Sequence, residues 1–189
     1  MYLYSLFSLI PNSIFTGTLI MVPCLLIIHL FKIRIFKIDK QGLVGPVNWV
    51  LLFASVLYTL MLFIEVFKAY FLAGEYEQFS FSNRLTGPFW LYTMTGLVNY
   101  ILMPQLLWFK KFRNSIVTLS VIWSVWVILW VVSTIITFIP YGSVGIIGRF
   151  SGIDLLKRLL IYIVIVTVTY LILNRRKMTP ISETENQYS

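Results

Sequence analysis

The chain has almost no cysteine or histidine. Cys24 and His29 are the only residues of these two types among the 189 residues. A single cysteine cannot form an internal disulfide, and zinc or iron–sulfur sites need several thiolates or imidazoles. One histidine cannot supply both axial ligands of a haem, which would have to be shared with a partner chain. The sequence therefore predicts no metal site and no cofactor bound through the chain's own ligands.

Charged residues are also scarce. Only 12% of the residues are charged, whereas 59% are hydrophobic and 17% aromatic. A soluble globular domain would have roughly a quarter of its residues charged. The composition excludes that class and predicts a membrane protein without a large extramembrane domain. The net charge of +8 comes from short basic clusters between apolar runs, a pattern typical of membrane topology rather than of nucleic-acid binding.

Five uncharged runs predict five membrane-spanning helices, because about 20 apolar residues cross a hydrocarbon core. The predicted spans are about 12–31, 45–68, 86–109, 115–139 and 155–174. We expect one all-α integral membrane domain over 1–177, built as a four-helix bundle with the fifth helix packed alongside, and a disordered tail at 178–189. A cleaved signal peptide within 1–31 is disfavoured, because this stretch has no basic start and no small-residue cleavage site.

The basic residues are divided unevenly between the two sides of this topology. Ten lie in the first connection, the third connection and the tail: Lys32, Arg34, Lys37, Lys40, Lys110, Lys111, Arg113, Arg175, Arg176 and Lys177. Five lie in the second and fourth connections: Lys68, Arg84, Arg149, Lys157 and Arg158. The positive-inside rule therefore predicts that the N-terminus lies outside and the C-terminus in the cytoplasm.

Ionisable and amide side chains lie in and after the second and third spans. Glu65 falls about one turn inside an apolar run, where a charge is costly and points to function. Lys68, three residues further along, is a natural partner for a structural pair; if the two stay apart, Glu65 could transfer protons. Asn99 and Gln105 flank Pro104, which lacks an N–H. They are expected to satisfy freed backbone groups, bind another helix or line a polar pathway.

Three tryptophans of the fourth span lie on one face of the predicted helix. Trp123, Trp126 and Trp130 are spaced by three and four residues. Such a stripe is typical of helix–helix packing, and the alternative is a flat aromatic wall for a quinone or a lipid.

The segment from Glu65 to Arg113 resembles a known family. The residues that carry the likeness are Glu65-Val66-Phe67-Lys68-Ala69-Tyr70, Tyr76-Glu77-Gln78-Phe79, Asn83-Arg84-Leu85-Thr86-Gly87-Pro88, Asn99 and Pro104 through Lys111 to Arg113. They resemble the C-terminal half of the NrfD or polysulfide-reductase membrane subunits, with alternative complex III as the closest type. The resemblance implies a helical bundle beside a second bundle that holds most of the quinone pocket, and a docked partner with iron–sulfur clusters or haems.

The resemblance implies a role in a bacterial inner membrane redox complex, with quinone or quinol as the possible ligand. Glu65 would be the proton acceptor or relay; Tyr76, Glu77 and Arg84 would order the outer mouth, and Asn99 and Gln105 would line the polar core. Electrons would pass to a cofactor of a partner subunit, so the chain would not be catalytic alone. The chain has about half the family's length, and Trp130-Val131 stands where the family has a Glu-Arg pair.

Two other functions remain open. A non-catalytic scaffold or assembly subunit would keep the docking surface, with the outer loop 74–88 binding a partner. A small transporter or channel is disfavoured, because the sequence shows no inverted repeat and few mid-membrane charges. Membrane lipid and other subunits are the expected partners of the redox subunit and of the scaffold.

Overall fold

The computed structural model describes residues 2–31, 40–72, 74–88, 90–138 and 152–178. Predictions for the basic residues at 32–37, for Arg149 and for the tail beyond 178 lie outside these residues. The described part of the chain is helical and contains no strand. The all-α fold class predicted from composition is therefore confirmed.

Eight α-helices make up most of the described chain. They are α1 (Tyr2–Leu30), α2 (Lys40–Phe67), α3 (Glu75–Thr86), α4 (Trp90–Leu97), α5 (Met103–Gln105), α6 (Lys110–Arg113), α7 (Ile116–Phe138) and α8 (Gly152–Met178). Two π-helical segments extend α2 and α4, at Lys68–Leu72 and Val98–Leu102. A 3₁₀ turn at Leu106–Trp108 follows α5.

Four of these helices are long and apolar enough to cross a membrane, and they indicate a membrane protein. The qualifying stretches are Ser8–Ile28, Gly42–Leu72, Ile116–Ile136 and Gly152–Arg175. The sequence predicts five, and the difference lies in the third predicted span. That stretch is helical from Trp90 to Trp108 but is divided into α4, the second π-helical segment, α5 and the 3₁₀ turn. Pro104 explains part of the division, because it cannot donate the next helical hydrogen bond.

α1 begins much earlier than the span predicted at 12–31. It starts at Tyr2 and contains both Pro11 and Pro23. Pro11 is fully buried. In a membrane helix a proline is tolerated where neighbouring groups satisfy the freed backbone. The Pro11-Asn12-Ser13 sequence therefore lies within the helix.

Two pairs of neighbouring elements run antiparallel. Asn48 near the start of α2 donates from Nδ2 to the carbonyl oxygen of Arg113 at 2.6 Å. Ser55, two turns further along α2, donates to the carbonyl oxygen of Ile101 at 3.2 Å. On α7, the indole of Trp123 donates to the carbonyl oxygen of Leu19 at 3.0 Å. The segment 90–108 therefore descends along α2 while α2 rises. Trp126, three residues after Trp123, contacts Phe15, four residues before Leu19, so α1 and α7 also run in opposite directions.

The core lies among α1, α2, α7 and α8. Leu51 and Ile122 are among its most buried residues, and α8 contributes Tyr162 at 2% exposure. A Cβ added to Gly17 would overlap the ring of Tyr162, so the absence of a side chain at position 17 lets α8 approach α1. The outward faces carry exposed apolar side chains such as Phe63 at 67%, a surface suited to lipid.

Candidate functional site

A cleft of about 600 Å³ opens between α2, α3, α4 and α7. Its size falls within the range of small-molecule sites, roughly 300–1,000 Å³. The surface is mainly apolar, with a few polar groups among aromatic rings. Its chemically important side chains are those of Tyr58, Glu65, Arg84, Asn99, Tyr100 and Trp130.

An ion pair joins α2 to α3 at the cleft. Arg84 on α3 donates from Nη2 to Oε1 of Glu65 at 2.6 Å. The two side chains are 52% and 35% exposed, so they lie at the open end of the cleft rather than inside it. The guanidinium also lies 5.5 Å from the ring centroid of Phe81, which is 7% exposed. The sequence does not single out Arg84 as a partner of Glu65; the structure brings the two together because α3 folds back over the end of α2.

Asn99 lies deeper in the cleft. It is only 5% exposed and belongs to the second π-helical segment. Its Oδ1 atom is buried and has no hydrogen-bond partner among the described residues. A buried amide oxygen without a donor is costly, about 1–3 kcal/mol. It therefore lacks a donor, and a ligand hydroxyl that reached it from the cleft would supply one.

The π-helical segment also frees backbone groups, which neighbouring helices satisfy. The N–H of Met103 donates to the carbonyl oxygen of Val98, five residues back. Pro104 has no N–H to offer to Asn99. The indole of Trp126 on α7 donates to the carbonyl oxygen of Asn99 instead, at 2.6 Å. The contact fixes α7 against the segment that holds the Asn99 side chain.

Aromatic rings close the inner end of the cleft. The rings of Tyr58 and Tyr100 lie 5.2 Å apart, and both contact Phe15 of α1. Trp126 lies 5.9 Å from Tyr100 and is 4% exposed, so it is a packing residue. Trp130, the last of the tryptophan stripe, is 56% exposed and lines the cleft. The stripe thus serves packing at Trp126 and forms part of the cleft wall at Trp130.

Three of the six predicted site residues line one cleft, namely Glu65, Arg84 and Asn99. Tyr76 and Glu77 do not line it; Tyr76 is 79% exposed on α3. Gln105 lies outside the cleft too. It donates to the hydroxyl of Ser55 at 3.1 Å and accepts from the indole of Trp108, so it joins α2 to the turn after α5.

Several cleft residues are not predicted by the sequence reasoning. Two of them, Tyr92 and Thr95, line the cleft at spacings of seven and four residues before Asn99, which the sequence does single out. That spacing places them on one face of a helix, and such a polar stripe in the sequence could have predicted that they line a common surface. On α2, Tyr58 and Glu65 are seven residues apart and share a face in the same way. Ser133 of α7 has no comparable signal.

Among the described residues, no group of three or more His, Cys, Asp or Glu side chains lies close enough to hold a metal ion. The polar groups of the cleft are a carboxylate, a guanidinium, an amide and hydroxyls. These groups can form hydrogen bonds to an uncharged ring that carries oxygen atoms, and they can exchange protons with it. They are better suited to hydrogen bonding than to metal chelation.

Comparisons of the chain with protein-family models, with curated proteins and with solved structures gave no match. The function is therefore inferred from the chemistry of the cleft and from the sequence resemblance.

Proposed function

We propose that the chain is an NrfD-like membrane subunit of a quinone-linked redox complex, and that its cleft binds a quinol. One observation supports this above the others. A single cleft brings together an ionisable pair, Glu65 with Arg84, and a buried amide, Asn99, between aromatic walls. A quinol head needs this combination, because its ring is apolar and its two hydroxyls need polar partners.

The spacing of the polar groups suits a ring with an oxygen at each end. Tyr58 is in ring contact with Tyr100, so Asn99 lies near the level of Tyr58. Glu65 is seven residues further along α2, or about 10 Å at 1.5 Å per residue. A quinol ring with a hydrogen bond at each oxygen is of similar length. The Glu65 carboxylate and the Asn99 Oδ1 atom would each accept a hydrogen bond from one of the two hydroxyls.

Glu65 would accept a proton when the quinol is oxidised. Each quinol gives up two protons and two electrons, and the carboxylate at the open end of the cleft can receive the two protons one after the other, releasing the first to water before it takes the second. Arg84 would hold the carboxylate in place. The electrons would pass to an iron–sulfur or haem cofactor of a partner subunit, since the chain has too few cysteines and histidines to hold one.

The proposal includes five membrane crossings, with the N-terminus outside and the C-terminus in the cytoplasm of a bacterial inner membrane. The segment 90–108 would be the third crossing, although its helix is divided. At about 1.5 Å per residue it spans about 28 Å, close to the thickness of a hydrocarbon core. Its antiparallel course beside α2 supports this interpretation.

Quinone binding can be measured on the purified chain in detergent. A short-chain naphthoquinone would quench the fluorescence of Trp130, which lines the cleft. Asn99→Leu should weaken binding about ten-fold, because it removes one of the two polar partners. Glu65→Gln should weaken it less, since an amide still accepts a hydrogen bond, but should lower quinol turnover in the intact complex.

Glu75→Gln is the matched control for Glu65→Gln. Glu75 is exposed at the start of α3 and does not line the cleft, so binding and turnover should be unchanged. Saturable quenching that is equal in wild type and in Asn99→Leu would contradict the proposed site. Turnover that survives Glu65→Gln would remove the proton-acceptor role while leaving quinone binding intact.

The second candidate is a non-catalytic scaffold, and the surface of α3 favours it. Tyr76 and Phe79 are 79% and 68% exposed on this helix, and such aromatic side chains are typical of interface anchors. Under this proposal, Tyr76→Ser with Phe79→Ser would release partner subunits during a gentle detergent purification. Co-elution of redox subunits without bound quinone would favour the scaffold over the quinol-binding subunit.

A further inference from the structure

A cluster of cations lies at the end of the bundle opposite Glu65. Lys110, Lys111 and Arg113 belong to α6, which precedes the start of α7. Both lysines are exposed. Among the described residues, no carboxylate forms an ion pair with Lys110, Lys111 or Arg113. We call these three residues the α6 cluster.

Arg113 is held in place from two sides. Its guanidinium lies over the ring of Trp49, with Cζ 4.2 Å from the ring centroid. Its carbonyl oxygen accepts from Nδ2 of Asn48, a residue with no exposed surface. The Nε atom of Arg113 is buried and has no hydrogen-bond partner among the described residues. The contact with Trp49 restricts the rotamers of the guanidinium and the Asn48 hydrogen bond holds its backbone, so binding an anion costs Arg113 less entropy than it would cost a free side chain.

The start of α7 adds a favourable field beside the cluster. α7 begins at Ile116, and the backbone N–H of Thr118 donates to the hydroxyl of Ser115 at 3.4 Å. The other N–H groups of the first turn carry the positive end of the helix dipole. An anion next to Arg113 would therefore meet both fixed positive charge and a helix N-terminus.

The surroundings are those of a membrane interface with a path for acyl chains. Trp108, which precedes α6, is 57% exposed, as expected of an aromatic side chain at headgroup level. Below it on α7, Val117, Val121 and Ile128 are 67%, 54% and 59% exposed. Their spacings of four and seven residues place them along one apolar face. A phosphate at the α6 cluster would thus have a hydrophobic track running from it into the bilayer.

We propose that the junction of α2, α6 and α7 binds the phosphodiester headgroup of an anionic phospholipid, with the acyl chains along α7. Arg113 donates to the phosphate oxygens from its fixed position, and Lys110 and Lys111 hold the anionic headgroup by charge. A free phosphate would share the charge contacts but would gain nothing from the apolar face of α7. This site is independent of the cleft, so it stands whether or not quinol binds there.

Native mass spectrometry of the detergent-purified chain tests the proposal with dioleoyl phosphatidylglycerol and dioleoyl phosphatidylcholine. We expect phosphatidylglycerol to bind at least ten-fold more tightly than phosphatidylcholine. Arg113→Gln should weaken phosphatidylglycerol binding about ten-fold, because it removes hydrogen bonds to the phosphate as well as a charge. The double change Lys110→Gln with Lys111→Gln should weaken binding about 25-fold, since each interfacial cation is worth about five-fold. Lys157→Gln is the control, because it removes the same charge from an exposed position on α8.

An anionic lipid, a neutral lipid and a free phosphate as the bound ligand give different results. Equal binding of the two lipids would overturn the proposal, and so would Arg113→Gln that retains lipid as well as Lys157→Gln does. Displacement of phosphatidylglycerol by millimolar inorganic phosphate would show a free-anion site rather than a lipid site. If Arg113→Gln does not fold, the double lysine variant decides the outcome, since both of its side chains are exposed. Binding that is unchanged in that variant would also overturn the proposal.

Discussion

The contact between Trp126 and the carbonyl oxygen of Asn99 gives a sharp stability prediction. Trp126→Phe keeps an aromatic ring next to Phe15 and Tyr100 but removes the donor at 2.6 Å. Hydrogen bonds between membrane helices average about 0.6 kcal/mol, because the freed groups usually find other partners. Here Pro104 offers no N–H, so the buried carbonyl would remain unsatisfied at a cost of about 1–3 kcal/mol. We expect a loss of about 2 kcal/mol.

The free energy of unfolding can be measured by adding sodium dodecyl sulfate to the chain in mild detergent micelles. Trp130→Phe is the matched control, because the same change is made on the same helix at a side chain that is 56% exposed. It should cost less than about 0.5 kcal/mol. Pro104→Ala restores an N–H to this stretch and should reduce the cost of Trp126→Phe in a double-mutant cycle. Equal costs for the two tryptophan changes, with no coupling to Pro104, would refute the reasoning.

Two further predictions concern helix packing and use the same unfolding measurement. Gly17→Ala should destabilise the chain by about 1–3 kcal/mol, because the new Cβ overlaps the ring of Tyr162. Gly45→Ala meets nothing within 4 Å and should be neutral or slightly stabilising, and equal effects of the two changes would contradict close α1–α8 packing. Gln105→Ala should cost about 0.6 kcal/mol. In a cycle with Ser55→Ala the two losses should be less than additive, and full additivity would argue against their hydrogen bond.

Composition and uncharged runs predict the fold class and the general position of most helices. A membrane-spanning helix is recognised from about 20 consecutive, mainly apolar residues, and α2, α7 and α8 contain such a run. The start of α1 is not predicted, because Pro11 reads as a helix boundary in a soluble protein and lies inside the helix here. The close approach of Tyr162 to Gly17 is a long-range packing feature with no local pattern.

The candidate site is predicted only in part. Glu65 and Asn99 stand out because a charge or a buried amide in an apolar run is costly, and that cost is visible in the sequence. Whether Arg84 reaches Glu65 depends on where α3 turns back, which is set by the tertiary structure. Gln105 has the same local signal as Asn99, yet it faces Ser55 rather than the cleft. The direction in which an amide points cannot be read from its own neighbours.

The division of the third predicted span and the polar character of the cleft have the same origin. A regular helix through 90–108 would satisfy its own carbonyl groups and would need no polar contact from its neighbours. The π-helical turn shifts the hydrogen bond of Met103 to Val98, and Pro104 leaves the carbonyl of Asn99 without a helical donor. Trp126 must then approach from α7 to donate to it. The helix that fits the pattern of a simple membrane span least well is therefore the one that holds Asn99 in the cleft and locks α7 against it.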